Sequence, residues 1–156
     1  MNETADNSKA IVRPPIGWLL TFAAGWVMDQ LYPAPFIPMS VPNIWLGGAI
    51  FTVAFALAIW AIATIRGAGS QVATDKPTTK IVSDGPFRNT RNPTYAGMFL
   101  GHIGLAIGFD SLWLVATLVP FYLVIRYGVV AREEAYLERK FGQDYLDYKS
   151  RVRRWL

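Results

Sequence analysis

The sequence predicts an all-α integral membrane chain with about four transmembrane helices, the last two a tight hairpin, followed by a cytoplasmic C-terminal helical region. Three observations carry this. Of 156 residues, 53% are apolar and 14% aromatic, more than a soluble domain of this size uses to fill its core. Four stretches run nearly free of charge, and the basic residues fall in alternate gaps between them. One membrane domain over 1–156 is expected.

The first stretch, 16–32, is apolar but for Asp29 near its end. Its leader, MNETADNSKAIVRPP, carries two acids and two prolines, which fits an anchor better than a cleaved signal peptide. The second, 44–65, gives 22 uncharged residues, enough at about 1.5 Å each to match a hydrocarbon layer roughly 30 Å thick. The third and fourth, 95–109 and 111–130, are separated by Asp110 alone, so they form an antiparallel hairpin with Asp110 or Ser111 capping the later helix. Residues 66–94 read as a structured loop, with a turn at Asp84-Gly85-Pro86 and a helix start at Pro93 or Thr94. That start would leave the N–H groups of Thr94, Tyr95 and Ala96 facing the loop. Residues 131–156 read as helical, broken at Gly142.

Of the 15 Lys and Arg residues, two precede the first stretch, five lie between the second and third, and seven follow the fourth. The loop 33–43 and the turn at Asp110 have none. With four crossings every basic segment falls on one face, which the positive-inside rule makes cytoplasmic, both termini included. An inner-membrane location follows. The net charge of +4 is explained by flanking membrane segments near anionic headgroups, so nucleic acid is not an expected partner. With no cysteine and a single histidine, neither a disulfide framework nor a metal site is expected.

The loop ends in a polar knot, GPFRNTRNPTYAG at 85–97. Arg91 beside a helix N-terminus is a combination that attracts carboxylates and phosphates, although flanking arginines also snorkel to headgroups. Tyr95, Met98, Phe99 and His102 share a helical face. His102 at that depth is either functional or a hydrogen-bonding link to the fourth helix, with packing the favoured reading. Arg126 lies about one turn before the end of the fourth helix. Glu134 falls on the stripe Val130, Leu137, Phe141 and needs a cationic partner: Arg91, Arg126 or a ligand. Tyr145, Tyr148 and Val152 form a further apolar face, and Trp155 is placed at the interface.

The knot, then the hairpin, then REEAYLERKFGQDYLDYKSRVRRW resemble the isoprenylcysteine carboxyl methyltransferase family and its relatives, the integral-membrane phospholipid N-methyltransferases, over about residues 81–156. The resemblance implies S-adenosylmethionine as cofactor, a cytoplasmic site and an apolar access route for a lipophilic or lipid-linked acceptor. It carries over Arg91, Asn92, Pro93, Tyr95, Gly97, Glu133 and Glu134. Arg91 and Glu134 are the expected catalytic pair; His102, Arg126 and Tyr145 join the others as expected cofactor contacts. Better-known members have histidine where this chain has Asn92, which offers an amide and no proton transfer. Their Pro-Arg-Trp ending is Arg153-Arg154-Trp155 here. Polarities agree with the implied cofactor, since the carboxylates suit its cationic groups and Arg91 its carboxylate. Prenylcysteine carboxyl, phospholipid amine and small-thiol acceptors all remain open, as does a non-catalytic scaffold retaining the fold.

Overall fold

The structure, a computed structural model, describes residues 7–38, 41–70 and 76–155. Parts of the two loops expected at 33–43 and 66–94, namely 39–40 and 71–75, lie outside the described residues. Among the described residues there are six α-helices: α1 Pro14–Leu31, α2 Asn43–Gly67, α3 Pro93–Gly108, α4 Leu112–Leu123, α5 Ala131–Phe141 and α6 Gln143–Arg151. No strand occurs among the described residues; the only pairing of that kind there is an isolated parallel bridge between Thr90 and Arg153.

The apolar stretches fold as helices at the expected places. Pro14 and Pro15 open α1, where their missing N–H groups cost no helical bond. α2, at 25 residues, is about 37 Å long at the usual rise. Its outward side chains Trp45, Val53, Phe55 and Trp60 are exposed. Apolar surface of that extent is what lipid covers. The fourth stretch differs from expectation. It does not end at Val130: α4, a π-helical stretch Val124–Val130 and α5 run on as one helix from Leu112 to Phe141. Pro120 sits inside it, and four residues later the helix widens into the π turn. α2 and this composite helix are the two described helices long and apolar enough to cross a membrane.

Two pairings organise the bundle, α2 along α3 and α1 along α4. α2 and α3 meet almost backbone to backbone: a Cβ built at Gly47 would stand 2.4 Å from the Gly104 carbonyl oxygen. Gly97 belongs to the same seam, facing Ala54 and Ala58. The α3–α4 turn is held by Asp110, at φ +50°, whose carboxylate accepts the N–H groups of Phe36 and Ile37 at 2.8 Å each. Ser111 provides the cap, accepting from Leu114 N. The core lies under the knot, where Tyr95, Phe121, Ile125, Val129 and Val130 pack with Trp18, Met98, Phe99 and Trp155.

Candidate functional site

The polar knot folds as a short 3₁₀ turn, Gly85–Arg88, followed by α3 from Pro93. Asn92 adopts φ −129°, outside helical geometry, as a residue preceding proline does. The first turn of α3 closes earlier than expected, because Ala96 N–H donates to the Asn92 carbonyl at 2.9 Å and so does not face the loop. Asn92 does not cap the helix. Its side-chain Nδ2 donates to the Arg154 carbonyl at 2.9 Å, and Thr90 Oγ1 donates to the same oxygen at 3.1 Å. With Arg91 N–H donating to Arg153 O at 2.8 Å, the knot grips the C-terminal tail by three bonds.

That grip assembles a buried charge cluster. Glu134 is 6% exposed. Arg154 holds it in a fork, Nε to Oε1 at 2.9 Å and Nη2 to Oε2 at 2.6 Å, and Arg91 Nη2 approaches Oε1 at 3.2 Å. The hydrogen bond to Glu134 holds the Arg154 guanidinium above its ordinary value. Arg91 keeps Nε and Nη1 buried with no hydrogen-bond partner among the described residues. Glu133 accepts from Tyr95 O–H at 2.8 Å, and burial pushes its carboxyl up to about 7, with Glu134 adding to the rise and the tyrosine bond opposing it. Burial likewise raises Tyr145, and raises Tyr148 to about 12 against the pull of Arg91, so both hydroxyls stay protonated. Tyr148 donates to the Phe87 carbonyl at 2.8 Å.

All of these residues except Arg154 line one cavity of about 630 Å³. Arg91, Asn92, Pro93, Tyr95, Glu133, Glu134 and Tyr145, all expected in the site, reach it together. Its apolar lining includes Ile16 from α1, Ile62 and Ile65 from α2, and Met98 from α3.

Three expected cofactor contacts are placed elsewhere. Gly97 is absent from the cavity wall because the α2–α3 contact occupies its face, where Ala54 O would lie 3.0 Å from an added Cβ. His102 is fully buried among Trp18, Phe22 and Phe121, its Nε2 against Leu114 O at 3.1 Å and Thr117 Oγ1 at 3.2 Å. A carbonyl can only accept, so Nε2 carries the proton, and the residue links α3 to α4. Arg126 neither lines the cavity nor pairs with Glu134; its guanidinium lies over the Tyr127 ring, 5.2 Å from its centre. Trp155 sits against Phe99 and Tyr122. The partner that the sequence did not name for Glu134 is Arg154. Its signal was present in the carboxylate on an apolar stripe and in the Arg-Arg-Trp ending.

Helices with apolar outward faces around a cavity with buried charges define a helical, membrane-associated protein. The phospholipid methyltransferase family model matches residues 42–144, and the chain belongs to that family of membrane methyltransferases. An uncharacterized protein of Haemophilus influenzae is 51% identical over 51 residues, covering 30% of this chain and 81% of the relative. No solved structure matches the chain.

Proposed function

We propose that this protein is an S-adenosylmethionine-dependent methyltransferase acting on a lipophilic acceptor. The observation that carries the reading is Arg91: two guanidinium donors, buried on the wall of a cavity and unpartnered among the described residues, cost several kcal/mol unless an anion meets them. A methionyl carboxylate is such an anion. Glu133, which accepts a single bond from Tyr95 through one carboxylate oxygen, suits the cationic groups of the same molecule. The donor set therefore fits the cofactor, with Arg91, Glu133, Tyr95 and Tyr145 as the residues that would hold it.

When bound, S-adenosylmethionine supplies an already activated methyl group. The chain has to position, exclude water and handle a proton. Tyr95 fixes one oxygen of Glu133, which orients the other. The isoleucines of α1 and α2 give an apolar acceptor a dry wall. A carboxylate or thiolate acceptor needs no base. An amine must lose a proton, and the carboxylate of Glu133, whose conjugate acid is pushed up to about 7, is the base matched to take it. Four crossings, with α1 and α3 as the shorter spans and the cavity at the cytoplasmic end among the basic loops, complete the reading.

The test is calorimetric titration of S-adenosylmethionine into the detergent-purified protein with lipid present. Saturable binding lost in Arg91→Gln is expected. No binding by folded wild-type protein would overturn the reading in favour of a scaffold.

A further inference from the structure

Glu134 has two guanidinium neighbours and treats them unequally. Arg154 occupies both carboxylate oxygens, whereas Arg91, a residue of the cavity lining, makes a single-point contact to Oε1 and keeps Nε and Nη1 buried with no hydrogen-bond partner among the described residues. A carboxylate facing one guanidinium prefers the two-bond fork. Without Arg154, Glu134 would take the fork of Arg91 and turn its donors away from the cavity. Arg154 is itself fixed, because its carbonyl is held by Thr90 and Asn92 and the neighbouring Arg153 carbonyl by Arg91 N–H.

From this arrangement we infer that Arg154 is a positioning residue which occupies Glu134 and so keeps Arg91 directed at the carboxylate of the bound ligand. Glu134, held by two hydrogen bonds from Arg154 and an ion-pair contact from Arg91, is then a support for Arg91, and Glu133 is the carboxylate left for cationic groups. Asn92 gains a role too: its amide holds the tail that delivers Arg154.

The inference rests on the proposed cofactor, and its test separates the two. Dissociation constants for S-adenosylmethionine and its decarboxylated analogue are measured on the full chain in detergent, for wild type, Arg91→Gln, Arg154→Gln and the double variant. Wild type should prefer the carboxylate-bearing ligand by on the order of tenfold or more, the usual scale for a charge-assisted pair. Arg154→Gln should reduce that preference to about twofold while leaving affinity for the analogue nearly unchanged, and the double variant should match Arg91→Gln. Equal loss of both ligands, or an intact preference, would show Arg154 to be structural only and overturn the inference. A wild type that binds both ligands equally would overturn it while sparing the cofactor; one that binds neither ends both. Should Arg154→Gln fail to fold, Arg154→Lys retains the charge without the fork and must still lower the preference.

Discussion

Substituting Gly47 by alanine tests the α2–α3 seam that holds the cavity wall. An added Cβ would lie 2.4 Å from both the Gly104 carbonyl oxygen and Gly108 N, and 2.5 Å from Gly108 Cα. All three are backbone atoms, so no side chain can swing away. To reach even 3.0 Å the helices must part by 0.6 Å, and a shift of that size loosens contacts along the whole seam. Gly48 is the internal control, since a Cβ there meets nothing within 4 Å. Both changes gain the same helix propensity, about 1 kcal/mol, which cancels when they are compared. The remaining difference is overpacking, about 1–3 kcal/mol. Gly47→Ala is therefore expected to unfold more readily than Gly48→Ala by that amount in reversible denaturation from mixed micelles. On α3, Gly104→Ala, whose Cβ would be 2.8 Å from Phe51 N, should lose similarly against Gly101→Ala, whose nearest contacts are at 3.7 Å. Equal stabilities within either pair would refute the backbone-to-backbone packing.

His102→Leu removes the Nε2 contacts to Leu114 O and Thr117 Oγ1 that link α3 to α4 and should cost about 1 kcal/mol in the same denaturation, the scale for polar links between membrane helices, with S-adenosylmethionine affinity unchanged. A large drop in affinity would return His102 to the site. Because the carboxyl of Glu133 is raised to about 7, it is protonated below that value and charged above it, so S-adenosylmethionine affinity should rise by up to about tenfold between pH 6 and pH 8. Glu133→Gln should flatten that profile. The sign reverses for the fold without ligand, since a raised acid contributes stability that is present below its unfolded value and lost as pH climbs through about 7. Single cysteines placed in this cysteine-free chain at Thr79 and Ser150 should react with an impermeant label from the cytoplasmic side, and one at Phe36 from the other; a common side for all three would refute four crossings.

The helices were legible because uncharged runs of this length have few other uses, and the start of α3 was legible because Pro93 restricts Asn92. Two features were not. The continuation from α4 through the π turn into α5 runs past both Pro120 and the point where polarity changes, and sequence marks the change in polarity more clearly than the persistence of helix. Gly97 was read as a ligand contact from its motif, yet its spacing with Gly101, Gly104 and Gly108 is the pattern of a close helix seam. Glu134's need for a cation was legible on physical grounds. Which cation met it depended on a tail 20 residues away, folded back by hydrogen bonds to the knot.

Asn92 shows how a departure from a family pattern can be absorbed. An imidazole in that position can exchange a proton; an amide cannot, but it offers two fixed N–H donors. Here one of them holds the Arg154 carbonyl at 2.9 Å, beside the bond from Thr90, while the Asn92 backbone carbonyl closes the first turn of α3. The residue thus joins the helix start to the tail that supplies the second arginine of the cluster. Nothing in this geometry asks position 92 to titrate. The group poised to do so is Glu133, turned about 100° from Glu134 on the same helix and held by Tyr95 rather than by an arginine. Two adjacent carboxylates therefore stand in different surroundings: Glu134 lies between two guanidinium groups, and Glu133, beside a neutral hydroxyl, is pushed by burial up to about 7.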